Sequence, residues 1–494
     1  MNRISGIVLA AIALLLMGCG SAPKYTASSI RAEYEHISGA PANQAPTEKT
    51  PRTQSPDASD IDPALPLTLP QVIEITLSNN PNLQQAVYRI DQARAMKDLA
   101  DTAFWPMLGF YTEYTQGDAP SAYLFKTIDQ RKLPPDLNFN DPGWFENYET
   151  GIQARMNLFN GGKDYLELRM AEQAVKISDL DRQAVVNDLT AQVIAAFYDV
   201  LAAKEFIDIA AESVASVSEQ LRVIRVQYDG GGALKSDVLS LQVRLARAEE
   251  RLVETRNRFK LAKAALANLM GVDPAGFSQK RNILSGTSES AIQVPDEYED
   301  GIIQALSRRP ELEKVRKQLI KSRMGLDAAK TNYLPSVDLM GKYYVDDPEM
   351  DYNRDRENWT AGVVFNWDLF TGFSTKARVN KADAMVKEML AADRQATLGV
   401  KLDVKNAYLN RKAAEARYEV AASSVESAEE SYRLVKEHYN GGAVTITRYL
   451  EAELDRNRAR IRSTAAFYDK IKANADLARA IGKWAGRNPQ PTER

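Results

Sequence analysis

The longest regular pattern in this chain is an apolar seam that ends at Tyr228. Apolar or aromatic residues recur along it at steps of four and three: Leu189, Val193, Ala196, Val200, Ala203, Ile207, Ala210, Val214, Val217, Leu221, Ile224 and Tyr228. A repeat of 3.5 residues is typical of helices that pack along their whole length. Residues 163–228 contain no proline, so they predict one helix about 100 Å long.

Other segments alternate with a period of two. Between residues 148 and 158 one face is mostly apolar and the other is polar, which predicts a strand with one face in contact with lipid or a core. Its length suits a tilted strand in a bilayer. A partner is expected at 107–115, and two further strands at 338–344 and 359–369. The proline-containing segment between the first two strands is expected to be a loop.

The pattern occurs twice. Leu158-Phe159-Asn160-Gly161 recurs as Leu369-Phe370-Thr371-Gly372, and Tyr228 and Tyr439 lie 211 residues apart. The first repeat is predicted at 65–271, with a hairpin at about 106–158, a long helix at 163–228 and a return helix at 235–270. A linker at 272–296 precedes the second repeat at 297–483, with a hairpin at about 335–369 and helices at 373–439 and 446–481. A tail follows at 484–494.

The N-terminus predicts export. An apolar run too short to span a bilayer precedes Met17-Gly18-Cys19, which resembles the lipobox of bacterial lipoproteins. Residues 1–18 are therefore expected to be a signal peptide and Cys19 to carry lipid. Residues 19–64 lack a sustained period and predict a flexible tether. Gly20 after the cysteine favours sorting to the outer membrane of a Gram-negative bacterium.

Composition narrows the function. A net charge of −3 with nearly balanced acids and bases argues against nucleic-acid binding. Two histidines, one cysteine and no nucleophile motif predict no enzyme, no cofactor and no metal site. His438 is expected to be an ordinary residue at a helix C-terminus.

The number of strands predicts an oligomer. Four strands cannot close a membrane barrel, for which about eight are needed, and an open sheet would expose unpaired backbone groups to lipid. Several copies must therefore combine their strands, and three copies are the simplest solution. A lipid-anchored coiled-coil scaffold or adhesin without a pore remains the alternative, although it does not explain the strands.

The lipobox, tandem repeat, Leu-Phe-x-Gly strand exit and Tyr-x-x-Gly turn resemble the TolC family of outer-membrane efflux proteins. This resemblance implies a mainly α protomer with membrane β structure: four strands per copy in a trimeric twelve-stranded barrel, continued by a long α-helical tunnel in the periplasm. It also implies a passive export channel of a tripartite efflux or type I secretion system. Its partners would be a homotrimer, outer-membrane lipid, a periplasmic adaptor and an inner-membrane pump of the RND or ABC type.

The resemblance also assigns roles to residues at the two glycine turns, the expected site of adaptor docking. These residues are Tyr228, Gly230, Gly231, Tyr439, Gly441 and Gly442. A tunnel gate is implied at Asp237, Tyr439, Arg448 and Glu451. Arg448 stands where the best-known member has aspartate, so a contact of Arg448 with Asp237 or Glu451 is expected to lock the turns in place of an acidic ring. The alternative is that these charges are ordinary solvated residues at helix ends.

Overall fold

The computed structural model describes residues 67–274, 277, 292–351 and 354–486, together with Ile30. The predicted signal peptide, Cys19 and residues 487–494 lie outside this part of the chain. All that follows concerns the body within Pro56–Arg494, which is a separate unit from Met1–Ser55.

Helices account for most of the described residues. In chain order they are α1 (Leu69–Asn79), α2 (Pro81–Asp101), α3 (Pro120–Asp129), α4 (Lys163–Asp229), α5 (Lys235–Leu269), α6 (Tyr298–Arg308), α7 (Pro310–Lys330), α8 (Ser374–Asn440) and α9 (Ile446–Ala480). The long helices α4 and α8 have 67 residues each, and the return helices α5 and α9 have 35 each. None of the helices in the described ranges is long and apolar enough to cross a bilayer.

Four strands form one antiparallel sheet in the order β1-β2-β3-β4. They are β1 (Met107–Gly117), β2 (Phe145–Phe159), β3 (Ser336–Asp347) and β4 (Glu357–Asn366). The central pair, β2 with β3, joins the hairpins of the two repeats, and Gly151 lies opposite Tyr344. A Cβ on Gly151 would lie 2.4 Å from the Tyr343 carbonyl oxygen, so only glycine allows this close pairing of strands.

The sheet has one apolar and one polar face, as the alternation predicts. Large exposed side chains cover the apolar face, among them Phe110, Ile152, Tyr343, Trp359, Val363 and Phe365. The polar face carries Tyr111, Glu149, Lys342, Asp346 and Asn358. Within the described residues β1 and β4 each pair with a single neighbour, so the sheet has two open edges.

The shorter helices break before a proline in both repeats, at Pro81 and Pro310, and an asparagine caps the break in the first. Asn80 ends α1 and caps α2, since its Oδ1 accepts a hydrogen bond from the Asn82 N–H at 2.8 Å. Its Nδ2 donates to the Leu269 carbonyl oxygen at 2.7 Å, which ties the break to the end of α5. Gly271 follows with φ +70°, and a Cβ there would lie 2.4 Å from the Asn79 carbonyl oxygen. The helix break and the end of the return helix therefore fix each other.

The main hydrophobic core surrounds the middle of α4. Phe197, Val193 and Val186 are almost completely buried there, against α1, the end of α5 and α9. A smaller cluster lies where α4 ends and α5 and α9 begin, around Leu241 and Tyr449. The core therefore follows the long helix along its length, as the apolar seam predicts.

One sequence expectation is wrong. The segment between β1 and β2, expected to be a loop, contains the helix α3. Pro120 is the first residue of α3, where the missing N–H of proline is harmless. The side chains of Lys126 and Gln130 hydrogen-bond to the sheet, and these tertiary contacts hold a ten-residue helix that would be marginal alone.

Candidate functional site at the helix turns

The tip, which we define as residues 212–254 and 429–460, contains the turns that join each long helix to its return helix. Gly231 has φ +78° and Gly442 has φ +72°, a region that favours glycine. In the first turn the Gly232 N–H donates to the Gln227 carbonyl oxygen at 2.7 Å, and the Gly231 N–H to that of Tyr228 at 2.9 Å. The second turn repeats both bonds at 2.8 and 3.0 Å. Both long helices therefore end in the same motif.

The glycines of the turns have open surroundings. A Cβ on Gly231 or Gly442 would meet no atom within 4 Å. Gly230 and Gly441 cap the two long helices at φ −83° and are exposed. The first turn also exposes Tyr228. The backbone conformation therefore selects glycine at positions 231 and 442, and the outer surface of both turns is free in the protomer.

Three tyrosines form a cluster in the second repeat. Tyr439 and Tyr449 stack with ring centroids 5.1 Å apart, and the hydroxyl groups of Tyr432 and Tyr449 lie 2.8 Å apart. Gln220 of α4 donates to the Tyr449 hydroxyl at 3.3 Å. Burial, together with the hydrogen bond to Tyr432, raises the pKa of Tyr449. The cluster therefore holds α8, α9 and α4 together at the tip.

Asp237 lies close to this cluster in the first turn of α5. Burial, and then the Asp237 carboxylate, raises the pKa of Tyr439, so these two residues of the predicted gate are close enough for the charge of one to act on the other. Asp237 Oδ2 also accepts a hydrogen bond from the Leu234 N–H at 3.3 Å. The aspartate therefore caps α5 as well as facing the tyrosine.

The other two residues of the predicted gate, Arg448 and Glu451, are placed differently. Arg448 Nη1 lies 3.6 Å from Glu451 Oε2, one turn away on α9, and both side chains are more than half exposed. An exposed pair of this kind contributes about 0–1 kcal/mol. The described residues of one protomer contain no ion pair between Arg448 and Asp237. Within the protomer the Arg448–Glu451 contact therefore connects no two helices.

Deeper in the tip, ion pairs join three helices. Arg460 Nη1 lies 2.6 Å from Glu212 Oε2 of α4, and Arg460 Nε lies 2.9 Å from Glu429 Oε1 of α8. Arg456 Nη2 lies 3.1 Å from Glu212 Oε1, and its guanidinium lies 4.2 Å from the centre of the Tyr432 ring. Arginine suits this position because it can pair with a carboxylate and stack on an aromatic ring together.

Glu453 is a buried carboxyl group beside this network. It is 3% exposed, and its Oε1 accepts no hydrogen bond from the described residues. Burial raises the pKa of Glu453, although the Ser216 hydroxyl and the Arg456 guanidinium act in the opposite direction. The protonated form is therefore favoured here more than in water.

A groove of about 500 Å³ runs between α5 and α9 next to Glu453. Charged side chains dominate its lining, including Arg244, Arg247, Arg251 and Arg458 together with Glu250 and Glu254. Arg244 also donates to the Leu450 carbonyl oxygen at 3.0 Å, which joins the two helices. The described residues contain no cluster of His, Cys, Asp or Glu suited to a metal ion. A groove with so many charged side chains is better suited to binding the surface of another protein than to binding a small apolar ligand.

The comparison with protein families identifies the fold and its function. The family described as outer membrane efflux protein matches residues 72–272 and 301–483, which is most of the chain. The chain belongs to this family. The resemblance to the TolC family is therefore confirmed, and with it the function of an outer-membrane export channel.

Individual members of the outer membrane efflux protein family agree. CyaE of Bordetella pertussis is 23% identical over 399 residues, 80% of each chain. The pyoverdine export outer membrane protein OpmQ of Pseudomonas putida is 22% identical, over 85% of this chain and 87% of its own. The Campylobacter jejuni CmeC outer membrane channel superposes with a TM-score of 0.74 at 18% identity, covering 85% of this chain and 87% of that one. The outer-membrane channel OprN has a TM-score of 0.71 at 20% identity, with 90% and 99% covered.

Sequence reasoning found some of the tip and missed other parts. It named Tyr439 and Asp237, which the structure brings together, and Cys19, which lies outside the described residues. It missed Tyr432, Tyr449 and the buried Glu453. Tyr432 lies seven residues before Tyr439, two turns along the same helix face, and this spacing was the available signal.

Proposed function

We propose that three copies of this chain join their sheets into one twelve-stranded barrel in the outer membrane. The observation that supports this most directly is the four-stranded sheet with two open edges and an exposed apolar face. Pairing of β4 with β1 of the next copy removes every open edge and places the apolar face against lipid. The helices of the three copies then continue the barrel as a periplasmic tunnel.

The long helix α8 supports the same assembly. Its exposed apolar residues include Leu390, Leu398, Leu402, Leu409 and Val420. A single copy leaves these side chains in water, which is unfavourable by roughly 25 cal/mol for each Å² of apolar surface. Neighbouring copies in the trimer are the partners that cover this surface.

We further propose that lipid on Cys19 anchors each copy to the outer membrane of a Gram-negative bacterium. The tip docks a periplasmic adaptor, which links the channel to an inner-membrane pump of the RND or ABC type. The open surfaces of the glycine turns and the arginine-lined groove support this role, because both present polar groups that a helical partner can pair with. Transport through the duct is passive and involves no catalysis.

The assembly is tested with the purified full-length lipidated protein. We expect a trimer by native mass measurement and ion conduction in planar bilayers. A stable monomer, or a trimer that does not conduct, would support the scaffold or adhesin alternative. For the adaptor, charge reversal at Arg247 and Arg251 is expected to weaken copurification with the cognate adaptor and leave the trimer intact. Unchanged copurification would exclude the groove as the docking surface.

The gate has a separate test. If Arg448, Glu451, Asp237 and Tyr439 keep the tip closed at rest, Arg448→Ala raises single-channel conductance. Arg458→Ala is the matched control, since Arg458 forms a similarly exposed pair with Asp455 on the same helix. Equal conductance of both variants and the unmodified channel would remove Arg448 from the gate.

A further inference from the structure

Helix α3 lies on the polar face of the sheet. Lys126 Nζ is 2.7 Å from Glu149 Oε2 on β2 and 2.9 Å from Asp346 Oδ1 on β3. Gln130 Nε2 donates to Asn147 Oδ1 at 2.8 Å. Glu149, Asp346 and Asn147 all belong to the polar face.

These contacts are buried. Asp346 and Asn147 are completely inaccessible to solvent, and Glu149 and Gln130 are nearly so. Asn147 Nδ2 also donates to Asp346 Oδ1 at 2.6 Å, so the acceptors of Lys126 are themselves held in place. Glu149 also pairs with Lys342 at 2.8 Å, so removal of Lys126 would leave Asp346 as a buried carboxylate without its cation, which strongly destabilises a folded arrangement. Lys126 is therefore the charged residue within α3 that fixes the helix to the sheet, and Gln130 adds to this anchor.

The contacts of α3 and of the two residues that follow it reach across most of the sheet. Beyond β2 and β3, Arg131 Nη2 donates to Asn358 Oδ1 of β4 at 3.1 Å. Asn358 Nδ2 in turn lies 3.4 Å from the Asp129 carbonyl oxygen. Since neighbouring strands lie about 4.8 Å apart, the contacts span about 10 Å of the face.

The opposite side of α3 is apolar and uncovered. Thr127 and Gln130 face the sheet and are buried, whereas Phe125 is 64% exposed and Ile128 41%. A spacing of three residues places Phe125 and Ile128 on one side of the helix. Two apolar side chains thus project away from a polar surface.

We propose that α3 forms a selectivity constriction inside the outer mouth of the channel. This inference rests on the proposed trimeric barrel, in which the apolar face meets lipid and the polar face lines the lumen. Three copies of α3 then project Phe125 and Ile128 towards the axis and narrow the mouth by an apolar ring. The ring hinders bulky hydrophilic solutes that enter from outside. Lys126 is the positioning residue.

The test measures access from outside the cell to a cysteine below α3. Gln153 is exposed on the polar face, four residues beyond Glu149 and so about 13 Å deeper along the strand. Cells that carry Gln153→Cys are treated with a small hydrophilic maleimide or with a long polyethylene-glycol maleimide. The parent chain, with Cys19 alone, measures the background.

With α3 in place we expect the small reagent to react with Gln153→Cys readily and the long reagent slowly. Adding Lys126→Met should raise the labelling rate of the long reagent on the order of tenfold. Loss of the buried ion pair destabilises the docked position of α3 by more than the free energy that corresponds to a factor of ten. Lys132→Met, at an exposed lysine of the same loop, leaves the rate unchanged. Asp136→Cys, in the outer loop, is labelled equally in every background.

A second variant guards against misfolding of Lys126→Met. Replacing residues 121–130 by a Gly/Ser linker removes α3 and keeps the strands, and is also expected to accelerate the long reagent. Equal rates for the long reagent with and without α3 would overturn the constriction while leaving the channel itself intact. If even the small reagent fails to reach Gln153→Cys from outside, the proposed barrel is wrong, and the constriction with it.

Discussion

The two long helices, α4 and α8, have the same length and the same place in their repeats, but they are buried to very different extents. Nineteen residues of α4 are buried and only six of α8. Helix α4 packs on α1, α2, α5, α7 and α9, whereas α8 packs on α6, α7 and α9. One protomer therefore completes the surroundings of α4 and leaves a face of α8 for another copy.

A single pair of equivalent positions shows the same difference. Asn187 on α4 is completely buried, and Leu398, 211 residues later on α8, is 55% exposed. Asn187 Nδ2 donates to the Arg479 carbonyl oxygen at 2.9 Å, and its Oδ1 accepts from the Trp484 N–H at 3.2 Å. The Asn187 amide thus has its hydrogen-bond partners within the protomer, whereas Leu398 is one of several exposed apolar side chains on α8. Three predictions test this comparison, and a fourth extends it to the return helices α5 and α9.

The largest effect is expected in the core around α4. Phe197→Ala removes a ring that is 2% exposed and should lower the free energy of unfolding by about 3–5 kcal/mol. Denaturant unfolding in detergent, followed by helical circular dichroism, measures the loss. Val226→Ala on the same helix, where the side chain is 63% exposed, should stay within about 0.5 kcal/mol. If Phe197→Ala lowered the free energy of unfolding no more than Val226→Ala does, α4 would not be the central helix.

The second prediction concerns the uncovered face of α8. Leu398→Glu should destabilise the trimer by about 2–3 kcal/mol per copy, because a buried leucine is lost at each interface. Native mass measurement should find more monomer, with helical content unchanged. Lys204→Glu, which places the same charge at an exposed position of α4, should leave the trimer intact. A fully trimeric Leu398→Glu would mean that this face does not join the copies.

The third prediction exchanges the residues at the equivalent positions 187 of α4 and 398 of α8. Asn187→Leu places the residue of α8 in α4 and leaves the Arg479 carbonyl and the Trp484 N–H without their partner. The free energy of unfolding should fall by about 1–3 kcal/mol. Thermal unfolding of the monomeric protein in mild detergent measures this change. Leu398→Asn, the reverse exchange, should leave protomer stability unchanged, and any gain from Asn187→Leu would contradict the account.

The smallest effect is expected at Glu453, whose equivalent in the first repeat is the exposed Gln242. Ser216 and Glu212 of α4, Arg244 of α5 and Arg456 of α9 surround the carboxyl group. Because folding raises its pKa, its contribution to stability is complete below the ordinary carboxyl pKa and is lost as pH rises through the raised value.

Glu453→Gln should therefore raise the free energy of unfolding at neutral pH by about 1 kcal/mol and flatten its dependence on pH. Unfolding measured from acidic to neutral pH tests this. Exposed Glu451→Gln is the control and should change neither quantity. A loss of stability at neutral pH would show that the ionised carboxylate is needed here.

Local pattern was enough to predict the repeats, the long helices, the alternating strands and the glycine turns. Each of these depends on short-range geometry: heptad spacing for α4, alternation in β2, and positive φ at Gly231 and Gly442. Tyr439 and Asp237 were named by family resemblance, and the structure places them together.

Tertiary structure alone decided that α4 rather than α8 is the central helix, and that a helix forms between β1 and β2. The seam of α4 and the equivalent residues of α8 have helical patterns that say nothing about the number of neighbours. Helix α3 forms where Lys126 meets Glu149 and Asp346, and Asp346 lies 220 residues away in the sequence. Glu453 is buried and Gln242 exposed because burial depends on what packs against a position, and that is settled only when distant segments meet.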